Sequence, residues 1–198
     1  MHARKLSIDG AYEFTPPVFP DNRGFLAAPF QEPAFIEATG HSLFPVRQCN
    51  HSQSRRGVVR GVHFTATPPG MVKYVYCPRG KALDIVVDVR VGSTTFGQWD
   101  SVVLDADELH GVYLPVGLGH GFVALEDDTV MLYLLSEGYV PKNELAVSFT
   151  DTTLGLPIPD DLEPIISERD RMAPTLAEAR DKGLLPEYAT CLELQAGL

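Results

Sequence analysis

The feature that most constrains this chain is the brevity of its apolar runs. From Gly57 to Phe149 they are short, rich in Val, Ile, Tyr, Phe and Leu, and cut apart by glycine, proline and acidic turns. Residues of this kind favour strands, and strands are predicted at Val58 to Thr65, Val72 to Cys77, Ala82 to Val91, Trp99 to Leu104, Gly111 to Leu114, Gly121 to Leu125, Val130 to Leu135 and Leu145 to Phe149. The segments between them are too short for the crossover connections that parallel strands require. Pro78-Arg79-Gly80-Lys81 and Glu126-Asp127-Asp128-Thr129 read as the turns of two antiparallel hairpins. The expected class is all-β, a jelly-roll sandwich or barrel with a few short helices, mainly C-terminal. Helices are predicted at Glu32 to Thr39, closed by Gly40, and at Thr175 to Lys182, which follows Pro174 and stops at Gly183.

With 198 residues, 44% of them hydrophobic, the chain suits one domain with a sizeable core. Residues 1–198 show no internal repeat and divide into an N-terminal arm with lead-in strands (1–50), a β-barrel core (51–159) and a C-terminal appendage (160–198). Sixteen Lys and Arg against 26 Asp and Glu leave a formal charge of −10, which argues against nucleic acid as a partner. An anionic ligand must therefore meet locally gathered cations. No run approaches the roughly 18 to 20 apolar residues of a membrane span, and Met1-His2-Ala3-Arg4-Lys5-Leu6 has no signal-peptide character, so a soluble cytoplasmic protein without a membrane partner is expected. Cys49, Cys77 and Cys191 are odd in number and lack CxxC spacing, which points to reduced, structural thiols.

The chemistry-bearing stretch starts at Arg60-Gly61-Val62-His63, with Lys73 on the following strand. A single inward histidine is ordinarily a core residue satisfied by hydrogen bonds. Here a second one, His120, ends the PxGxxH run Pro115-Val116-Gly117-Leu118-Gly119-His120, a spacing similar to the second motif of cupin barrels. The HxH of a cupin metal cage is missing, so no metal site is expected. Taken alone, Tyr133 reads equally as a packed tyrosine, Asp170 as a surface charge, and an arginine at a strand edge as a solvated ion.

Together these residues resemble the dTDP-4-dehydrorhamnose 3,5-epimerase family of sugar-nucleotide epimerases. The match runs through Asp21-Asn22-Arg23-Gly24-Phe25, Gln48 with Asn50, Arg60 to His63, Lys73, Gly92 to Trp99, Pro115 to Phe122, Tyr133, Tyr139-Val140-Pro141 with Glu144, Leu154-Gly155-Leu156, and Ser167-Glu168-Arg169-Asp170. The resemblance implies a homodimeric cupin-type jelly roll, or double-stranded β-helix, that takes a dTDP-4-keto-6-deoxyhexose and works without metal or cofactor. It further implies that His63 is the general base with Asp170 as its partner, Tyr133 the general acid and Lys73 the cation beside the ketone. Arg23, Arg60 and Arg169 would meet the diphosphate, with His120, Gln48 and Asn50 bonding sugar or phosphate, Glu144 also in the substrate site, and Tyr139 forming a platform for the thymine.

The chain departs from the family where rhamnose-pathway members commonly carry an acidic residue, having Leu26-Ala27-Ala28-Pro29-Phe30 instead. The loop Thr65 to Gly70 and the tail Leu184 to Tyr188 look more like the subgroup that builds antibiotic deoxysugars. That subgroup leaves epimerisation at C3, C5 or both open, a C3-only epimerase being the closest alternative. A non-catalytic sugar-nucleotide-binding cupin would need no base and acid, and a metal-dependent cupin would need the missing HxH.

Overall fold

A computed structural model describes residues 1–198 as two facing antiparallel sheets. The first has the spatial order β1 (His2–Lys5), β2 (Tyr12–Thr15), β10 (Gly111–Leu114), β7 (Lys73–Arg79), β12 (Thr129–Leu135) and β5 (Gln48–Ser54). The second runs β13 (Glu144–Ala146), β6 (Val58–Thr65), β11 (Gly119–Ala124), β8 (Lys81–Val87) and β9 (Trp99–Asp105), with β14 (Ile165–Ile166) joined in parallel to β6. A separate hairpin, β3 (Val18–Asp21) with β4 (Gly24–Ala27), stands apart from both. Helices α1 (Glu32–Thr39), α2 (Glu168–Arg171), α3 (Leu176–Asp181) and α4 (Tyr188–Ala196) are short.

The predicted strands are present, but the two predicted hairpins are not. Strand β7 belongs to the first sheet and β8 to the second, and β11 and β12 are divided in the same way. The turns Pro78 to Lys81 and Glu126 to Thr129 are therefore corners at which the chain changes sheets. They also touch each other: Gly80, at φ 75°, leaves no room for a Cβ beside Thr129, whose hydroxyl accepts from the Lys81 amide and donates to the Glu126 carbonyl. A turn-rich segment between two apolar runs fixes a reversal, and which sheet receives the next strand depends on long-range pairing.

Alternation sorts the side chains into layers. Val75, Val86, Val112, Leu114, Phe122 and Met131 fill the space between the sheets. On the outside of the first sheet, Phe14, Tyr74 and Tyr113 pack against Phe35 of α1 and Cys191 of α4. Val62, Phe64 and Val87 of the second sheet are covered by Phe149, Leu154, Leu176 and Ala179. Burying each such side chain contributes on the order of 1.5–3 kcal/mol. Cys77 and Cys191 are buried as expected, whereas Cys49 is exposed. Helix α1 ends on left-handed Gly40 as predicted, and α3 starts with a capping box between Thr175 and Glu178. The N-terminal strands complete the first sheet, β5 runs across residue 50, and the segment from residue 160 onward adds β14 to the second sheet.

The predicted strand over Ala82 to Val91 stops at Val87. Beyond it, the wholly buried Asp88 accepts a bidentate pair from Arg90, at 2.9 and 2.8 Å, and hydroxyl bonds from Ser93 and Thr95, each 2.6 Å. Arg90 also lies over the Tyr188 ring, 4.9 Å from its centroid. Much of the motif from Gly92 to Trp99 thus pins the β8–β9 connection; Trp99 itself donates to the Leu154 carbonyl at 2.9 Å.

Candidate active site

A cavity of about 420 Å³ opens between the sheets and is lined by side chains from β5, β6, β7, β11, β12 and the segments around residues 139–144 and 169. Strand β6 makes the first contribution. Strict alternation would send Arg60 and His63 to opposite faces, yet both line the cavity, while Val59, Val62 and Phe64 pack outward. A bulge accounts for this. The β6–β11 register shifts between His120 and Phe122, and Gly61, at φ 112°, lies so close to β11 that a Cβ there would be 2.5 Å from the His120 carbonyl oxygen.

His63 and Asp170 form a hydrogen-bonded pair, with Nε2 and Oδ1 separated by 2.6 Å. Asp170 is buried at the short helix α2, where its amide donates to the Ser167 hydroxyl, 3.1 Å away. Burial pushes the Asp170 carboxyl up, but bonds from His63, the Gly61 amide and Ser167 outweigh it and leave it below the ordinary carboxylate value. With Nε2 donating to this carboxylate, the other nitrogen of the neutral ring is free to take a proton.

Across the β6–β11 ladder from His63 stands His120, whose Nε2 is 2.6 Å from Asp84 Oδ2. The His120 ring meets Tyr133 edge-on at a centroid distance of 5.8 Å. Burial raises the Tyr133 phenol above its ordinary value, with Ser52 lowering and Asp84 adding to it, so Tyr133 keeps its proton at neutral pH. Lys73 on β7 is buried; desolvation lowers its ammonium from the ordinary value while Glu144 and Asp84 oppose the drop.

Asn50, Arg60, Tyr139, Glu144 and Arg169 complete most of the predicted set around the cavity. Arg60 is held by the Ser54 hydroxyl and the Gln53 carbonyl, and Arg169 donates to the Glu144 carbonyl at 3.0 Å. Glu144 accepts from Thr65 at 3.1 Å. Gln48 stands behind the wall, donating to Asn50 at 2.6 Å and accepting the Tyr139 amide at 2.8 Å. Arg23 is not brought to the cavity. It sits on the exposed β3–β4 hairpin and pairs with Asp21, because that hairpin packs into neither sheet. Ser52 and Met71 in the lining, and Asp84 behind His120, escaped the sequence reading. Asp84 had a usable signal, an acid in the middle of the apolar run Ala82 to Val87.

Two facing sheets of cupin-type jelly-roll topology bring a histidine–aspartate pair, a lysine and a protonated tyrosine around one cavity, groups of the kind that proton-transfer chemistry uses. The family model described as dTDP-4-dehydrorhamnose 3,5-epimerase matches residues 5–178, and the chain belongs to that family of isomerases. It is 50% identical over 191 residues to the dTDP-4-dehydrorhamnose 3,5-epimerase of Mycolicibacterium smegmatis, covering 96% of this chain and 94% of that protein. To the dTDP-4-dehydro-6-deoxyglucose 3-epimerase of Streptomyces bikiniensis it is 48% identical, covering 96% of each. A crystal structure of a double mutant of ChmJ, a 3'-monoepimerase from Streptomyces bikiniensis in complex with dTDP, superposes with a TM-score of 0.93 at 47% identity, covering 100% of this chain and 98% of that one.

Proposed function

We propose that this chain epimerises a dTDP-4-keto-6-deoxyhexose at C3, C5 or both, through an enolate, in the making of a deoxysugar. The observation that carries this reading is the meeting of a base, an acid and an ammonium from different strands on one cavity. His63 removes the hydrogen next to the ketone, and Asp170 stabilises the imidazolium that forms. The electron pair of the broken C–H bond moves onto the carbonyl oxygen, where the buried Lys73 ammonium stabilises the developing charge. Tyr133, on a different strand, returns a proton to the opposite face, so the configuration inverts; the same proton returned by His63 would restore the starting sugar. This balance involves no oxidant, metal or cofactor. In the ChmJ double mutant a histidine and a tyrosine are replaced, as far apart in that chain as His63 and Tyr133 are in this one, which supports the pairing of roles.

Arg60 and Arg169 are the cations for the diphosphate, with His120, Asn50 and Glu144 on the sugar side and Gln48 holding Asn50 in place. Tyr139, 49% exposed at the rim, is available to stack on the thymine. Phe19, Phe25 and Leu26 leave the β3–β4 hairpin with an apolar surface of the kind a second subunit covers. In such a homodimer Arg23 would serve the partner's cavity rather than its own. No helix is long and apolar enough to cross a membrane, and three unpaired cysteines fit a reducing compartment such as the cytoplasm.

Proton NMR of the protein with dTDP-4-keto-6-deoxyglucose in deuterated water tests the reading. Deuterium is expected at each carbon that is epimerised, and the sugar's coupling constants report inversion. Exchange confined to C3 identifies a 3-epimerase. Failure to exchange at either carbon, with the substrate bound, would overturn the proposal.

A further inference from the structure

Gln48 opens β5 across from Leu135, the last residue of β12, and Asn50 follows two positions on, across from Tyr133. The chain leaving β12 returns to this end of β5, where the backbone amide of Tyr139 donates to Gln48 Oε1 at 2.8 Å. A backbone N–H can only donate, so this bond decides which way the Gln48 amide points, with its oxygen toward Tyr139 and its nitrogen toward the cavity wall. Nε2 then donates to Asn50 Oδ1 at 2.6 Å. The same logic extends one residue further. With its oxygen taken by Gln48, Asn50 keeps Nδ2, which bonds nothing within the protein, for the cavity that Asn50 lines.

We propose that Gln48 is a positioning residue that carries the polarity of the Tyr139 amide through to Asn50, so that Asn50 meets the substrate as a hydrogen-bond donor, its partner an acceptor oxygen of the diphosphate or the hexose. This rests on the epimerase reading and its dTDP-hexose substrate. An asparagine free to rotate can turn either end toward a ligand, and ionised phosphate oxygens, which accept, gain nothing from the oxygen end. The relay removes that choice before the ligand arrives and lowers the cost of ordering the side chain on binding. It also joins two parts of the site, because the amide at its start belongs to the residue whose ring stands at the rim.

Gln48→Glu tests the direction of the relay. A glutamate still accepts from the Tyr139 amide, but its second oxygen accepts as well, so Asn50 must turn, donate Nδ2 to it and show Oδ1 to the cavity. In wild-type protein carrying 15N in its asparagine side chains, the Asn50 amide signal, assigned by its loss in Asn50→Ser, should shift on saturation with ligand. A shift with dTDP alone assigns the acceptor to the diphosphate, and one that requires dTDP-glucose assigns it to the hexose. In Gln48→Glu the shift should vanish and KM should rise about tenfold or more, the scale of a hydrogen bond to a charged group, with kcat falling less. Gln48→Met, which has neither the relay nor a new charge, leaves Asn50 free to donate; it should keep the shift and raise KM only a few-fold. An Asn50 signal unmoved by both ligands, or one that shifts as fully in Gln48→Glu as in the wild type, would overturn the inference. If the glutamate variant does not fold, an unchanged KM in Gln48→Met does so. Should the wild type bind these ligands yet exchange no deuterium into the keto sugar, the epimerase reading fails, and the Asn50 signal still decides the polarity.

Discussion

Arg60 and His63, an odd number of positions apart on one strand, face the same cavity because the bulge at Gly61 reverses the alternation between them. A regular strand would place either Arg60, the proposed cation for the diphosphate, or His63, the proposed base, outside. Gly61→Ala adds a Cβ against the backbone of β11 at a positive φ, so both the close approach and the bulge are lost. The expected result is a fall in kcat of at least about a hundredfold, the scale of a misplaced reacting group, together with a lower melting temperature. Steady-state kinetics and a thermal melt check it. Wild-type kinetics in Gly61→Ala would show that the bulge does not set the site.

His63→Ala and Tyr133→Phe separate the two halves of the inversion. The first should abolish deuterium exchange at the substrate carbons, since the remaining acceptors lack the Asp170 pairing that supports an imidazolium. The second leaves His63, Asp170 and Lys73 in place, so proton removal should continue while protonation from the other face fails. Deuterium incorporation with little inversion is the expected NMR outcome. Inversion at the wild-type rate in Tyr133→Phe would pass the acid role to another group.

The fold was legible where a local pattern determined the outcome. Short β-prone runs gave the strands, and Gly40, Gly183 and Thr175 marked helix ends. What could not be read locally was the sheet each strand would join, because β7 and β8 leave the same four-residue turn for opposite sheets. The site divides in the same way. His63, Lys73, His120 and Tyr133 lie in strands whose existence was evident, but Asp170 reaches His63 only because β14 and α2 fold back along β6. Arg23 is the opposite case, its sequence motif intact while its hairpin projects away from the cavity.

Lys73→Met should lower kcat by roughly two to three orders of magnitude, the range expected for loss of a preorganised stabiliser of an oxyanion. Methionine approximates the buried stem, so packing is largely kept and the loss reports the charge. Affinity for the sugar nucleotide should change far less. A variant altered only in KM would make Lys73 a phosphate anchor instead.

Exhaustive dialysis against a strong chelator should leave turnover unchanged. His63 and His120 each commit one ring nitrogen to a carboxylate, and no group of three or more His, Cys, Asp or Glu side chains is arranged to hold an ion. Activity lost on dialysis and restored by a divalent metal would overturn this expectation.

The pair Asp88–Arg90 should govern acid stability. Burial pushes the Asp88 carboxyl up, but the Arg90 guanidinium and the Ser93 and Thr95 hydroxyls outweigh it and hold the group below its ordinary value of 3.8. A carboxylate with a depressed folded pKa releases its proton more readily in the native state, so its stabilising contribution is complete above the unfolded value and is lost as pH falls through the folded one. Asp170 contributes in the same direction. Asp88→Asn leaves Arg90 buried without its counter-ion, and at pH 7 should cost about 3–5 kcal/mol, the usual penalty for breaking a buried pair from one side. The difference from wild type should narrow progressively below the ordinary carboxylate value, because protonation removes the same charge from the wild type. Urea midpoints measured from pH 7 down to pH 3 provide the comparison, and a gap that stayed constant across that range would mean that packing, rather than the ion pair, holds the β8–β9 connection.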